Sequence, residues 1–233
     1  MLHPESEPRL YRLSRVLCGV CTHLLCSAFT VFVAVLAVPG SRLMCTWPNT
    51  HLITGLFSWH PFLMTLAFSF FMTEAILLFS PHSSPVAKLK HQVKSRLHWV
   101  LQSCCVSCAV LGLGAIFYNK HVNAKPHFST WHGLVGVVTV CAVVLQSVAA
   151  LPLIYHRLAK GWSLAKLKRY HAAAGLVTYL LGSSSLLLGS CSVWFTSSVG
   201  GHAWYLALCP AISAFTIMSQ VTNAYMAKKR LQS

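Results

Sequence analysis

Six apolar runs constrain this chain most, because each is long enough to cross a lipid bilayer as a helix. They cover residues 17–38, 59–79, 97–118, 131–154, 170–194 and 203–224, and a hydrocarbon core of about 30 Å requires about 20 helical residues. The chain is 55% hydrophobic and has only three acidic residues among 233, so it cannot form the polar exterior of a soluble domain. We therefore predict an all-α integral membrane protein with six transmembrane helices.

The basic residues predict how these helices are oriented. The net charge of +15 could suggest a nucleic-acid partner, but the lysines and arginines are concentrated on one side of an alternating topology. Fifteen of the eighteen lie there: Arg9, Arg12, Arg15, Lys88, Lys90, Lys94, Arg96, Arg157, Lys160, Lys166, Lys168, Arg169, Lys228, Lys229 and Arg230. Because positive residues in short loops mark the cytoplasmic side, we predict cytoplasmic N- and C-termini and no nucleic-acid partner.

The N-terminal run has two interpretations. Three arginines before an apolar stretch also fit a cleaved signal peptide, but the stretch of about 22 residues is longer than a typical signal core, which favours a retained helix. The predicted organisation is a cytoplasmic segment at 1–16, one transmembrane domain at 17–225 and a basic cytoplasmic tail at 226–233.

The ten cysteines indicate neither a disulfide framework nor a zinc site. Cys18 with Cys21 and Cys105 with Cys108 have the C-x-x-C spacing, but both pairs fall in apolar runs, where cysteine usually packs as a small apolar side chain. Cys45 lies in a predicted outer loop without an identifiable partner.

Four histidines open the four central runs. His60 and His132 are 72 residues apart, and His98 and His171 are 73 apart. In alternating helices, the first pair starts at the outer face and the second at the inner face. An intramembrane histidine is costly and is a candidate for function, although a single one could simply form an interfacial hydrogen bond. Four at equivalent positions favour a shared function.

The shared function follows from the arrangement of the second to fifth helices, which we take as an up-and-down four-helix bundle. Such bundles bind cofactors between facing helices. Neighbouring helices lie about 8 to 10 Å apart, too close for a porphyrin, whereas each diagonal pair carries two histidines at one depth. The sequence therefore predicts two b-type haems per chain, one with axial ligands His60 and His132 and one with His98 and His171. Haem iron with both axial positions filled suits electron transfer.

Small residues lie on the same helix faces. From His171, the glycines at 175, 182 and 189 return to within about 40° of the histidine's direction. Gly133 and Gly136 follow His132, and Ala150 lies eighteen residues after it. Such residues admit a bulky cofactor or a close helix approach, and their coincidence with the histidines favours the cofactor.

Glu74 is the single carboxylate after residue seven. It lies about 21 Å along the helix axis from His60, near the depth of the inner pair. A charged glutamate is expensive there, so it is expected to be protonated, bonded to a neighbour or coupled to electron arrival, or else to pair with a lysine or arginine at the inner rim. His23 is expected to bond a haem propionate or to be a satisfied packing histidine.

These residues resemble the cytochrome b561 family, six-helix proteins with two b-type haems that carry electrons across membranes, typically from cytosolic ascorbate. Within that family, cytochrome b561 domain-containing protein 1 is the expected nearest relative. The resemblance covers nearly the whole chain and rests on Ser58-Trp59-His60-Pro61, Glu74-Ala75-Ile76-Leu77, Leu97-His98 with Leu101-Gln102, His132, and Tyr170-His171 with Gly175.

The chain departs from the family pattern at two places. Ascorbate-using members continue the glutamate motif into a Tyr-Lys pair, where this chain has Phe79 and Ser80. They also place Ser-Leu-His-Ser-Trp around the fourth-helix ligand, where this chain has Thr130-Trp131-His132-Gly133-Leu134. Both departures fall where the family binds its donor or acceptor.

The resemblance implies a transmembrane oxidoreductase, with ascorbate as cytosolic donor and monodehydroascorbate or ferric iron as outer acceptor. A haem or substrate rim is predicted from Glu74, Lys94, Arg96, Lys168 and Arg169, because basic residues beside the inner ligands attract anions, although the positive-inside rule alone also explains those charges. The family further implies a homodimer. The alternative is a histidine-based metal or proton transporter, which would more often bind its cargo near the midplane in interrupted helices. The sequence is compatible with a location in the endoplasmic reticulum, in vesicles or in the plasma membrane.

Overall fold

The computed structural model describes residues 9–37, 51–159 and 161–230. Its helices are α1 (Arg9–Ala37), α2 (His51–Thr65), a π-helical segment (Leu66–Phe71), α3 (Met72–Leu77), α4 (His91–Val122), α5 (Trp131–Ala149), α6 (Leu151–Ile154), α7 (Leu164–Ser190), α8 (Val193–Val199) and α9 (Ala203–Arg230). Two short 3-10 helices occur at His156–Leu158 and Gly200–His202. The described part of the chain contains no strand, as predicted.

Six helical stretches are long and apolar enough to cross a membrane, which confirms the predicted number. We call them spans 1 to 6: Arg9–Ala37, Gly55–Leu77, His91–Val122, Trp131–Ile154, Leu164–Ser190 and Val193–Met226. The terms inner and outer below follow the topology predicted from the basic residues.

Several helices extend beyond the apolar runs that predicted them. Span 1 begins at Arg9, span 3 at His91 and span 5 at Leu164, because lysine, arginine and other polar residues at the inner ends are good helix formers. One boundary moves the other way. The fifth run was predicted to end at Trp194, but its helix ends at Ser190 and Trp194 belongs to α8. The Ser192 side chain caps the first turn of α8 by accepting from the Phe195 amide. Residues 1–8 and 231–233 of the predicted cytoplasmic segments lie outside the described residues, as do Arg42 and Cys45.

Spans 2 to 5 form the predicted four-helix arrangement. Span 2 packs against spans 3 and 5, and span 4 packs against the same two. Spans 2 and 4 therefore face each other diagonally, as do spans 3 and 5. Spans 1 and 6 pack on each other and cover the side made by spans 2 and 5.

Exposed aromatic side chains mark both membrane surfaces. Trp59, Trp131 and Trp204 lie exposed at the outer ends, and Trp99, Trp162 and Tyr170 at the inner ends. Tryptophan and tyrosine are enriched at the level of lipid headgroups. The long lipid-facing helices between these two belts are a multi-pass membrane architecture.

Span 2 is less regular than the sequence indicated. Pro61 lies inside α2, and residues 66 to 71 form a π-helix, which widens the turn locally. This segment lies between the two histidine levels. Ala67, Phe68 and Met72 pack there with Tyr179 and Val143 in the main buried core, which separates the outer half of the bundle from the inner half.

Candidate haem sites

The two predicted histidine pairs lie at opposite ends of the bundle, each across a diagonal. The ring centroids of His60 and His132 are 5.9 Å apart at 76° between planes. Those of His98 and His171 are 6.1 Å apart at 79°. An imidazole nitrogen binds a first-row metal at about 2 Å, so two imidazoles on opposite sides of one ion have centroids about 6 Å apart. Both pairs therefore have the spacing of axial ligands.

Local capping and backbone bonds orient the outer pair. Thr130 caps α5 by accepting from the Gly133 amide at 3.1 Å, which starts the helix immediately before His132. His60 Nδ1 donates to the Gly112 carbonyl at 3.0 Å, and His132 Nδ1 donates to the Ser185 carbonyl at 3.0 Å. A carbonyl only accepts, so in both rings Nδ1 carries the proton and Nε2 keeps its lone pair, the form that binds a metal.

The inner pair is held differently. His98 Nδ1 donates to the Ala75 carbonyl at 2.9 Å, which repeats the outer arrangement. His171 Nδ1 instead lies 3.0 Å from the amide nitrogen of Gln146, and that nitrogen also donates to the His171 carbonyl at 2.7 Å. With the amide placed this way, Nδ1 is an acceptor, and ligation through Nε2 requires the Gln146 oxygen to turn toward Nδ1.

Two cavities flank the outer pair. The larger, about 230 Å³, is lined on one side by Phe117, Lys120 and His127. The smaller, about 70 Å³, extends toward Ser190 and Trp194. His60, Met64, His132 and Leu186 line both, so free space lies on two sides of the line that joins the imidazoles. A macrocycle bound between the rings needs that shape, and the donor set fits a haem.

The glycines on span 5 make room for side chains around the histidine pairs. A Cβ at Gly189 would lie 3.2 Å from Cε1 of His132, one at Gly182 would lie 2.8 Å from Cδ1 of Phe68, and one at Gly175 would lie 3.3 Å from the Gln146 amide nitrogen. The predicted small-residue face therefore packs on the His132 ring, on the buried core between the pairs and on the partner of His171.

Glu74 and His23 bind each other. Both carboxylate oxygens of Glu74 lie 2.8 Å from His23 Nδ1, and His23 Nε2 donates to the Ser83 carbonyl at 3.1 Å. Cys26 also donates from Sγ to Glu74 at 3.3 Å. The side chains of His23 and Glu74 are 20% and 17% exposed. Glu74 is therefore bonded to span 1 rather than to a rim lysine or arginine, and both ring nitrogens of His23 are used within the protein.

A serine-rich loop next to this pair was not identified from the sequence. Ser80, Ser83 and Ser84 are buried, and Ser84 donates to the Leu78 carbonyl. Gly19 on span 1 faces Ser83 so closely that any side chain there would collide with it. The missing Cβ lets the loop reach His23.

The remaining predicted rim residues flank the inner pair. Lys94 and Arg96 precede His98 on α4, and Lys168 and Arg169 precede His171 on α7. Lys94 is half-buried and the other three are exposed, and among the described residues none of the four forms an ion pair. Phe79, at the departure from the family pattern, has its ring centroid 5.4 Å from that of His98.

The described residues contain no cluster of three or more histidine, cysteine or acidic side chains that could hold a metal ion by themselves. His60, His132, His98 and His171 form two facing pairs, and His23 is bonded to Glu74 instead. The nine described cysteines are free.

Comparison with known proteins agrees with this geometry. The family model described as "Eukaryotic cytochrome b561" matches residues 59–196, which include all four histidines. Transmembrane reductase CYB561D2 of Bos taurus is 50% identical over 99% of this chain and 99% of its own length. Probable transmembrane reductase CYB561D1 of Mus musculus is 40% identical over 98% and 95%, so the expectation that the protein numbered 1 is the nearer of these two is wrong.

A more distant relative is the lysosomal membrane ascorbate-dependent ferrireductase CYB561A3 of Mus musculus. It is 28% identical over 61% of this chain and 57% of its own length. The six spans, the family match and the near full-length relatives together show that the chain belongs to the haem-binding cytochrome b561 family and is a multi-pass membrane oxidoreductase.

Proposed function

We propose that this protein carries electrons across its membrane through two b-type haems, from cytosolic ascorbate to monodehydroascorbate or ferric iron outside. The observation that carries the proposal is the pair of facing imidazoles at each end of the bundle, with ring separations of 5.9 and 6.1 Å. Haem b bound between two imidazoles supplies one-electron chemistry without an open coordination position.

The chain's own residues would hold each haem and fix its orientation. The carbonyls of Gly112, Ser185 and Ala75 hold the rings of His60, His132 and His98, so little reorganisation is needed when the iron changes charge. The residues at positions 60 and 75 of span 2, which serve the outer and inner pairs, are about 22 Å apart along an ideal helix. Two redox centres therefore divide the membrane into shorter steps.

The core between the pairs keeps that path dry. Phe68, Met72, Val143 and Tyr179 are buried there, and the Tyr179 hydroxyl is hydrogen-bonded to Thr73 at 3.0 Å. A packed apolar layer with its polar atoms satisfied excludes water and ions. Electron transfer can then proceed without ion leakage.

Ascorbate as the donor is supported by charge at the inner end. Lys94, Arg96, Lys168 and Arg169 surround the start of the two helices that carry His98 and His171, and such a basic rim attracts an anion. The ferrireductase relative is described as ascorbate-dependent. His23 of span 1 supports the site, because its bond to Glu74 fixes the end of span 2 next to Ala75.

The acceptor end is supported by the larger outer cavity. Lys120 and His127 line it, with Lys120 Nζ donating to the Pro126 carbonyl at 3.0 Å and His127 stacked on Phe117. These side chains offer a cation and an imidazole to an anionic chelate or radical. Following the resemblance, we also propose a homodimer in the lipid bilayer.

The proposal is tested with purified protein in oriented vesicles that contain ascorbate. Monodehydroascorbate or a ferric chelate is added outside, and haem spectra are followed by rapid mixing. We expect both haems to be reduced from inside and reoxidised by the outside acceptor. No reduction by ascorbate would overturn the donor assignment, and one haem per chain would overturn the two-haem path.

A further inference from the structure

Trp194 carries a buried donor that the fold leaves unused. In the part of the chain that the structure describes, its Nε1 is the buried side-chain nitrogen or oxygen without a hydrogen-bond partner. The indole N–H can only donate, and buried donors without acceptors are rare because their desolvation is uncompensated. An acceptor from outside the chain is therefore expected beside it.

Trp194 lies on the smaller cavity next to the outer histidine pair. Ser192 caps α8 and thereby places Trp194 in its first turn. The indole packs edge-on against Phe57, with centroids 5.6 Å apart, and lines the cavity together with His60 and His132. The ring is thus fixed by its neighbours rather than free to turn its N–H toward solvent.

The other polar groups around this cavity already have partners. Thr65 Oγ1 donates to the Pro61 carbonyl at 2.8 Å, Ser190 Oγ donates to the Leu186 carbonyl at 3.1 Å, and Ser192 Oγ accepts from the Phe195 amide at 3.3 Å. The remaining lining is mainly apolar, with Phe29 and Val33 from span 1. Trp194 is the side chain of this cavity whose buried polar atom has no hydrogen-bond partner in the described part of the chain.

We propose that the Trp194 indole N–H donates a hydrogen bond to a propionate carboxylate of the outer haem. A haem held by His60 and His132 would have both cavities beside it, and its propionates would be its strong acceptors. A hydrogen bond to a carboxylate is charge-assisted and stronger than one between neutral groups.

This inference rests on the outer haem site proposed above. Removing the N–H would leave the propionate more negative, which favours ferric over ferrous iron. Trp194→Phe is therefore expected to lower the midpoint potential of the outer haem and to shift its propionate bending band in the resonance Raman spectrum. The inner haem is expected to keep both properties. The outer component is identified as the one that His132→Ala removes.

Two further variants separate hydrogen bonding from packing. Trp194→Gln keeps an N–H donor without the indole, so the propionate band is expected near its wild-type position. Trp204→Phe is the matched control, because Trp204 is also at the outer end but is 57% exposed; we expect no change. Equal shifts in the Phe and Gln variants would mean packing alone and would overturn the inference.

A measurement on the wild-type protein tests the inference without requiring any variant to fold. If the N–H is bonded to a propionate, transfer to D2O must shift the propionate band of the outer haem. A band unmoved by D2O shows that a cavity water, or nothing, accepts from Trp194, and overturns the inference. Two haems with an unmoved band would leave the electron-transfer proposal intact, whereas loss of the outer haem from wild-type protein would contradict that proposal instead.

Discussion

The outer and inner histidine pairs have the same ring spacing but different supports. Both outer rings donate to backbone carbonyls, of Gly112 and Ser185, and no side-chain substitution can remove those acceptors. The inner pair has one backbone acceptor, at Ala75, and one side-chain neighbour, Gln146, whose amide must turn before His171 can bind iron through Nε2. The outer site is preorganised by the helices themselves, whereas the inner site can be tuned by single residues.

A second difference is what lies beside each pair. Cavities flank the outer rings, whereas at the inner end the Glu74–His23 bond and a buried serine loop tie span 2 to span 1. This bond couples the inner site to the stability of span 1. The predictions below test this contrast in order of decreasing effect.

The largest effect is expected from removing a ligand. His132→Ala should abolish the outer haem and His171→Ala the inner one, so each variant should contain one haem per chain instead of two. Haem per protein is measured by the pyridine haemochrome assay. His202→Ala, at an exposed outer histidine, is the control and should retain both haems. A His132→Ala protein that still carried two haems would refute the outer assignment.

Next in size is the loss of the Glu74–His23 bond. Removing one partner of a fully buried ion pair typically costs about 3 to 5 kcal/mol, because a charge is left without compensation, and the cost should be smaller for this half-buried pair. His23→Ala should therefore lower the unfolding temperature and release the inner haem before the outer one, as measured by absorbance during heating. Glu74→Gln should cost less, since a neutral amide can still bond to His23.

The matching double variant sharpens this test. His23→Ala with Glu74→Gln should be more stable than His23→Ala alone, because the uncompensated carboxylate has gone. His156→Ala, at an exposed inner histidine, is the control for losing a histidine at this end. Equal losses for His23→Ala and His156→Ala would mean that the bond contributes nothing.

A smaller effect is expected from Gln146. Groups that orient a metal ligand typically contribute 10- to 100-fold in metal affinity, so Gln146→Leu should weaken inner haem binding by about that factor. Gln146→Glu should retain the haem, because a carboxylate accepts from Nδ1–H without reorientation, and should lower the inner midpoint potential. The outer haem should not respond. Haem transfer to an apoprotein acceptor and potentiometric titration measure both effects, with exposed Gln92→Leu as the control.

The smallest effect is expected at Gly189. A methyl group there would lie 3.2 Å from Cε1 of His132, so Gly189→Ala should turn the ring by a small angle and alter the electron paramagnetic resonance signal of the outer haem alone. Gly114→Ala is the control, because nothing lies within 4 Å of its Cβ position and alanine is the better helix former. Identical spectra for both variants would show that the outer site tolerates the displacement.

The pairing of spans and histidines could be predicted from the sequence because it depends on the order of the helices. Alternating direction places His60 with His132 and His98 with His171 whatever the side chains do between them. The bond between His23 and Glu74 could not be predicted, because it depends on how span 1 packs against span 2. The Gly19–Ser83 contact that permits this packing has no periodic signal.

The helix end at Ser190 was also missed. Residues 191 to 194 are apolar enough to extend the run, but Ser192 caps a new helix there and competes with continuation. The tautomers could not be predicted either, since they depend on which carbonyl lies within reach of each Nδ1. Apolar periodicity determines where helices cross the membrane, and short polar contacts determine what their histidines can bind.

The π-helical segment in span 2 also has a consequence for how this family can change. The segment lies between His60 and Ala75 and fixes how far the helix turns from one to the other. The His60 ring faces His132 of span 4, and the Ala75 carbonyl faces His98 of span 3. Deleting a single residue from 66–71 would rotate everything after it by about 100° and turn the Ala75 carbonyl away from His98. Insertions and deletions should thus be tolerated in the loops of this protein but not at the centre of its second helix. There, one residue more or fewer would prevent the helix from contacting both histidine pairs at once.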